Sequence, residues 1–139
     1  MPTQQRIDFA TLTRPRTPNT FLLAPEGLCK QAKIDKIAPV YGVRAAKLRQ
    51  EFLSIVIAQP RVSHNFADEM GLYDDFVVRS AVFRFPDLVS VKFVDLNGGK
   101  STLALYARAV YGRSDLGVNR ARSLAWLSQL GAVVKPQGI

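Results

Sequence analysis

Apolar side chains in the first half of the chain recur at helical spacing over one stretch, residues 43–57. Four of them fall every three or four positions, namely Ala45, Leu48, Phe52 and Ile55. This spacing predicts a helix that buries one stripe against a core. Pro60 ends the helix, because the residue before a proline avoids the helical conformation.

A second helical pattern lies near the end of the chain, from about residue 116 to residue 130. Its predicted buried stripe, flanked by Trp126, consists of Ala121, Leu124, Leu127 and Leu130. Gly131 follows at the position where a helix cap favours a left-handed residue, so the helix is predicted to end there.

Between the two helices, apolar residues tend to recur at every second position, which is typical of strands. The pattern predicts one weak strand followed by three stronger ones, at residues 61–67, 76–85, 88–96 and 100–111. Asn97-Gly98-Gly99 joins the last two, because a tight hairpin needs the positive φ that glycine adopts readily. Adjacent apolar residues such as Val77 and Val78 indicate that both sheet faces are covered, which would allow a homodimer.

The order of these elements predicts an α+β domain, an antiparallel meander of three to four strands with both helices packed on one face. The N-terminal residues 1–25 differ from the rest because they contain four prolines, Pro2, Pro15, Pro18 and Pro25. Proline fixes φ and has no amide donor, so this stretch is predicted to be an extended, irregular Pro-rich segment. Residues 26–139 are predicted to form a single α+β domain.

The charge of the chain is strongly basic, with 19 Lys and Arg against 11 Asp and Glu and a formal net charge of +8. Such a balance favours contact with nucleic acid, anionic lipid headgroups or an acidic partner. The basic residues are spread along the chain, so a plainly solvated basic surface remains the alternative. No apolar run reaches the roughly 18 residues that a bilayer span needs, so no transmembrane segment is expected.

Cys29 and His64 are the only residues of their types. One cysteine and one histidine do not build a zinc site, so we predict no metal and no cofactor, and we expect Cys29 to be buried and inert. The chain as given has no secretory signal, which favours a cytoplasmic protein. A leader removed from the sequence would instead indicate a periplasmic or envelope-associated protein.

The most polar junction joins the last strand to the last helix at residues 111–120. In a structural interpretation, Ser114 or Asp115 caps the helix, or an Arg–Asp–Asn network locks the helix to the sheet. In a functional interpretation, the free amides of the helix start bind an anion together with Arg113 and Arg120. The candidate ligand-binding residues are Arg108, Arg113, Ser114, Asp115, Asn119 and Arg120.

Four stretches of the chain carry recognisable motifs. They are Pro18-Asn19, Phe-Arg-Phe-Pro-Asp at residues 83–87, residues 101–108 and, above all, residues 112–122 with their Asp-Leu-Gly-Val-Asn-Arg. Together they resemble the uncharacterised family catalogued as domain of unknown function 1499, over about residues 15–130. That family often has Cys and Ser where this chain has Thr20 and Ala107, so no thiol or hydroxyl role carries over. The resemblance implies an α+β domain, often in a bacterial envelope or plastid setting, and no established activity.

Three functions follow from these observations. The leading hypothesis is a non-enzymatic binding or assembly module for a small anionic or amphipathic ligand or a protein partner. The alternative is a small hydrolase-like enzyme using Asp115 and nearby Arg and Asn residues, but no nucleophile and base have recognisable spacing, so no catalytic residue is predicted. Nonspecific nucleic-acid binding is a further alternative that no recognition motif supports.

Overall fold

The computed structural model describes residues 6–137, which form two helices and one six-stranded sheet. The helices are α1 (Ala45–Ile57) and α2 (Val118–Val133). The strands are β1 (Thr20–Ala24), β2 (Lys36–Ile37), β3 (Val62–Asp68), β4 (Tyr73–Arg79), β5 (Pro86–Asp95) and β6 (Ser101–Ala109). The α+β class is confirmed.

The sheet is larger than the predicted meander, and it is mixed. Its strand order is β2-β1-β6-β5-β4-β3, with β1 and β2 parallel and every other neighbouring pair antiparallel. The prediction of three to four antiparallel strands therefore described only β3 to β6. The hairpin between β5 and β6 turns through Asn97–Gly99, where Gly98 and Gly99 have positive φ as predicted.

The two missing strands come from the part of the chain with the most prolines. Residues 20–24, at the end of the predicted irregular segment 1–25, form β1 in the interior of the sheet. The run of Phe21, Leu22 and Leu23 lies between Pro18 and Pro25 without a proline inside it, so each of its amides is free to pair. β1 binds along β6, with Thr20 opposite Arg108 and Leu23 opposite Leu105.

Strand β4 begins three residues earlier than the pattern of apolar residues predicted and ends well before residue 85. Its pairing with β5 runs from Tyr73 opposite Lys92 to Arg79 opposite Pro86. Asp74 and Asp75 are buried within it, although adjacent acidic residues are typical of solvated turns. Their polar partners on other elements, described below, make this burial possible. The stretch beyond Arg79 is an exposed loop.

Both helices pack on one face of the sheet, as predicted, and we call this the helix face. Rings of Phe52, Phe76, Phe93 and Trp126 meet at its centre with centroid separations of 5.4–6.4 Å. Of the stripe predicted for α2, Leu127 and Leu130 are buried, Leu124 is partly buried and Ala121 is exposed. The observed buried residues begin with two polar ones: Asn119, Ser123, Trp126, Leu127 and Leu130. The helix also continues through Gly131 to Val133, so the predicted glycine cap is wrong.

The opposite face of the sheet, here the second face, is covered by irregular chain. Phe9 and Leu12 pack there against Leu22, Tyr73 and Tyr106, with side chains of residues 28–34 around them. The chain therefore covers both faces of its own sheet. Within residues 6–137, neither helix combines the length and apolar character needed to cross a bilayer.

Candidate functional site

The junction between β6 and α2 is fastened by Asp115, whose two carboxylate oxygens both face the start of α2. Its Oδ1 accepts a hydrogen bond from the backbone N–H of Gly117 at 2.8 Å, and its Oδ2 accepts one from that of Asn119 at 3.1 Å. A helix start leaves such amides without partners in the helix. Asp115 therefore caps α2, and its charge complements the positive end of the helix dipole.

Asn119 is the centre of a hydrogen-bonded network. Its side chain is fully buried, and its Nδ2 donates to Asp115 Oδ2 at 2.8 Å and to the backbone oxygen of Asn19 at 3.5 Å. Its Oδ1 accepts a hydrogen bond from Arg122 Nη1 at 2.9 Å. Arg122 Nη2 in turn donates to Asp87 Oδ2 at 2.8 Å. These five residues, which we call the junction network, tie α2 to β1 and β5.

Asn19 connects this network to the loop before α2. Its Nδ2 donates to the backbone oxygen of Gly112 at 2.9 Å, and its own backbone oxygen accepts the N–H of Ala109 at 3.0 Å. Thr17 Oγ1 donates to Asn19 Oδ1 at 2.9 Å. The side chain of Asn19 thus holds the end of β6 and the following loop in one position relative to β1.

The pKa of the Asp87 carboxyl is shifted by its surroundings in the junction network. Burial raises the pKa of Asp87, the hydrogen bond and charge of Arg122 oppose this shift, and the charge of Asp115 adds to it. An ionised Asp87 therefore depends on Arg122. The pair is partly buried, since each side chain is 16% exposed.

A cavity of about 350 Å³ lies beside the junction network, bounded by the ends of β3 and β4 and by α2. Three arginines line it, Arg61, Arg79 and Arg122, and we call it the arginine pocket. Its acidic lining residue is Asp87, which Arg122 already pairs. Trp126 contributes to its apolar wall. The pocket can therefore accept negative charge and an adjoining apolar group.

The predicted site residues do not all come together. Asp115 and Asn119 belong to the junction network. Ser114 is exposed, and its Oγ accepts the N–H of Leu116 at 3.3 Å. Arg113 is exposed, and Arg120 is exposed with its guanidinium 5.3 Å from the ring centre of Phe21. Neither of these two arginines lines the arginine pocket.

Arg108 lies on the second face of the sheet. Its Nη1 donates to Ser90 Oγ at 2.9 Å, and its guanidinium lies 5.0 Å from the ring centre of Tyr106. Ser90 Oγ donates to Asp75 Oδ1 at 2.6 Å, and Tyr73 Oη donates to the same oxygen at 2.7 Å. Burial lowers the pKa of Arg108. This second-face polar cluster of Tyr73, Asp75, Ser90 and Arg108 is separate from the junction network.

Sequence reasoning missed Arg61 and gave no role to Asn19, Asp87 or Arg122. The signal for the last three was present in the family motifs. Pro18-Asn19 contributes Asn19, residues 83–87 contribute Asp87, and residues 112–122 contribute the rest of the junction network. Three separated motifs thus meet in one hydrogen-bonded cluster. Arg61 lies outside these motifs.

Metal-ligating side chains are not grouped in the described part of the chain. Among residues 6–137, no cluster of three or more His, Cys, Asp and Glu side chains has the arrangement that would hold a metal ion. His64 instead pairs with Asp74 at 2.9 Å and stacks on Phe76 at 4.8 Å. Arg49 binds the same carboxylate through two hydrogen bonds of 2.7 and 2.8 Å.

Comparison with known families identifies the chain at the family level. The sequence model of the family described as "Protein of unknown function (DUF1499)" matches residues 11–130. The chain therefore belongs to this family, and the resemblance of its motifs is confirmed. A search of the curated proteins finds no match.

Proposed function

We propose that the protein is a non-enzymatic binding module that holds a small ligand by an anionic group, phosphate or carboxylate, in the arginine pocket. One observation carries this proposal. Three arginines line a single cavity whose acidic lining residue, Asp87, is already paired with Arg122. The excess positive charge inside the cavity favours an anion.

Arg61 is the best placed donor in the arginine pocket. Its Nε donates to the backbone oxygen of Arg79 at 2.9 Å, which fixes the direction of the guanidinium. Its two Nη atoms have no hydrogen-bond partner within residues 6–137. Arginine presents its donors as a planar fork that matches two oxygens of a phosphate or carboxylate. Arg61 therefore supplies the geometry for bidentate binding.

Arg122 contributes a fixed positive charge. Its hydrogen bonds to Asn119 and Asp87 use two of the five N–H donors that an arginine carries. They also hold the side chain in one conformation, so little rotamer entropy is lost when a ligand binds. The junction network is thus a support for the pocket, and its own carboxylates are engaged before any ligand arrives.

The wall of the pocket around Trp126 favours a ligand with an apolar portion. Trp126 is 3% exposed and forms part of both the pocket lining and the helix-face core. Val118, eight residues before Trp126 on α2, also lines the pocket. A ligand with an anionic head and an apolar body would bury its body against these two side chains while its head meets the arginines.

A larger groove of about 680 Å³ runs along α1, but its charges fit an anion less well. Its two cationic lining residues are already paired, Arg49 with Asp74 by two short hydrogen bonds and Lys47 with Glu51 at 3.1 Å. Glu69 also lines the groove, and its negative charge opposes an anion. Charge and donor availability therefore favour the smaller arginine pocket.

The hydrolase-like alternative lacks a base at Asp115. Both oxygens of that carboxylate accept hydrogen bonds from Gly117 and Asn119 at the start of α2. Arg108, one of the arginines near Asp115 in sequence on which that alternative draws, contacts Ser90 and Tyr106 on the second face instead. The geometry therefore supports binding better than hydrolysis.

Calorimetric titration with inorganic pyrophosphate and with citrate tests the proposal on the whole protein. Arg61→Gln should weaken binding about tenfold, because it removes one charge and the bidentate fork. Arg61→Lys, which keeps the charge, should recover only part of the affinity. The matched control is Arg44→Gln, since Arg44 is an exposed arginine at the start of α1 and outside the pocket.

Equal loss of affinity in Arg61→Gln and Arg44→Gln would contradict the pocket and indicate binding by net charge alone. Absence of binding of both anions by the unmodified protein would also contradict it. In either case the junction network would remain a structural device that fixes α2 on the sheet.

A further inference from the structure

Two loops at one end of the sheet expose an unusual amount of apolar surface. They are residues 80–85, between β4 and β5, and residues 110–117, between β6 and α2. Their exposed apolar side chains, which we call the loop-tip patch, are Val82, Phe83, Phe85, Tyr111 and Leu116. The loops lie side by side, since the N–H of Val110 donates to the backbone oxygen of Pro86 at 3.2 Å.

The aromatic rings of the patch form one continuous surface. Phe83 and Phe85 stack at a centroid distance of 5.5 Å, and Phe85 lies 5.7 Å from Tyr111. Phe83 is nevertheless 73% exposed. Contiguous exposed apolar surface of this kind is uncommon on a soluble domain and marks a site of interaction.

Leu116 is placed in the patch against the preferences of the fold. It is 93% exposed and has φ of 54°, a left-handed conformation that L-residues other than Asn and Asp rarely adopt. Glycines occupy the other left-handed positions of this loop, Gly112 and Gly117. A glycine at position 116 would relieve the backbone and remove exposed apolar surface. The leucine therefore combines a strained backbone with almost complete exposure of an apolar side chain, whereas Leu72, which has the same φ of 54°, is partly buried.

The charge on the same loops is positive. Arg84 and Arg113 are exposed there beside the aromatic rings. The two carboxylates nearest to them in sequence face inward, because Asp87 pairs with Arg122 and Asp115 caps α2. The patch therefore combines projecting apolar side chains with uncompensated arginines.

We propose that the loop-tip patch docks the protein onto the surface of an anionic lipid bilayer. Aromatic side chains favour the boundary between headgroups and acyl chains, and nearby arginines bind lipid phosphates. Apolar insertion and electrostatic attraction are each weak alone and sufficient together for reversible attachment. The side chains project from loop tips instead of lining a groove, which suits insertion into a fluid surface. This inference does not depend on a ligand in the arginine pocket.

Co-sedimentation of the whole protein with vesicles tests the inference. We expect binding to phosphatidylcholine vesicles that contain phosphatidylserine, at least tenfold weaker binding to pure phosphatidylcholine, and loss of binding at high salt. The variant Phe83→Ser/Leu116→Gly should bind at least tenfold more weakly, although Leu116→Gly relieves the backbone. Arg84→Gln should weaken binding roughly fivefold.

Two controls separate this result from nonspecific effects and from the pocket. Met70→Ser removes another apolar side chain that is 96% exposed, at the opposite end of β4, and should leave vesicle binding unchanged. Arg61→Gln, which tests the arginine pocket, leaves the apolar side chains of the loop-tip patch in place. Its binding to vesicles should weaken only a few-fold, through the loss of one charge. Anion binding by the pocket and vesicle binding by the patch can therefore fail independently.

Three results would overturn the inference. The first is absence of binding to the anionic vesicles, and the second is equal binding by Phe83→Ser/Leu116→Gly and the unmodified protein. The third is a dimer in sedimentation velocity that Phe83→Ser/Leu116→Gly abolishes, together with absent vesicle binding. That result would assign the patch to a contact between two copies of the chain.

Discussion

The centre of the helix face is filled by aromatic rings under two regular helices, whereas the second face combines an apolar cluster with a hydrogen-bonded polar cluster under irregular chain. On the helix face, Phe52 touches the rings of Phe76, Phe93 and Trp126. On the second face, Asp75 accepts hydrogen bonds from Tyr73 and Ser90 beside the buried Arg108. The same six strands thus support two kinds of interior.

This difference determines how each face responds to mutation. Apolar packing loses free energy in proportion to the contacts and volume removed. A polar cluster contributes little net free energy while it is complete, but it becomes costly when one partner is lost, because the remaining groups are left buried and unpaired. The helix face should therefore depend on side-chain size, and the second face on side-chain chemistry.

The largest expected effect is that of Phe52→Ala on the helix face. Phe52 is fully buried, so its truncation leaves a cavity among three other rings. We expect the free energy of unfolding in urea to fall by about 4 kcal/mol. Phe52→Leu, which fills most of the space, should lose much less. A loss below about 1 kcal/mol for Phe52→Ala would show that the helix face is not the main core.

The next effect in size is that of Asp75→Ala on the second face. Asp75 is 2% exposed, and its removal leaves the hydroxyls of Tyr73 and Ser90 without their acceptor near the positive charge of Arg108. We expect a loss of about 3 kcal/mol in the free energy of unfolding. Asp75→Asn keeps one acceptor and should lose about half as much. Unchanged stability in Asp75→Asn, which keeps the size of Asp75 and removes its charge, would mean that size, and not chemistry, controls this face.

The two faces also differ in how far the sequence predicts them. The helix face follows from local periodicity, since Ala45, Leu48 and Phe52 repeat at helical spacing and are buried as expected. Strand residues such as Asp75 and Ser90 resemble surface residues in a local pattern. Their burial depends on partners on other strands, for instance the pairing of Asp75 with Ser90 across β4 and β5.

The junction network shows the same limit within the candidate site. The cap by Asp115 was among the predicted interpretations because its partners lie two and four residues away. The bond from Arg122 to Asp87 spans 35 positions, and that from Asn119 to Asn19 spans 100. Contacts over such separations depend on the order of the strands in the sheet. Asn19 directly precedes β1, and this part of the chain was predicted to be irregular.

The smallest expected effects concern one tyrosine in each interior. Burial raises the pKa of Tyr41, in the helix-face core, to about 12. Burial first, and then the hydrogen bond and charge of Asp75, raise the pKa of Tyr73 to about 12. The unfolded chain loses these protons near pH 10. The folded state therefore holds protons that the unfolded state has released, and stability should fall by about 2 kcal/mol per tyrosine between pH 10 and 12.

The variants Tyr41→Phe and Tyr73→Phe show how much of this loss of stability each tyrosine causes, and they compare the two faces directly. Each should remove its own contribution of about 2 kcal/mol from the alkaline loss, measured as the free energy of unfolding against pH. Tyr106, whose pKa is also raised by burial, should keep its share of the loss in both variants. At neutral pH they should differ, because Tyr73 Oη donates to Asp75 and accepts the N–H of Ile7, whereas Tyr41 Oη is buried without a partner among residues 6–137. Tyr73→Phe should lose about 1 kcal/mol, and Tyr41→Phe should lose nothing or gain stability. Equal neutral-pH losses would show that the Tyr41 hydroxyl also stabilises the fold through a polar contact.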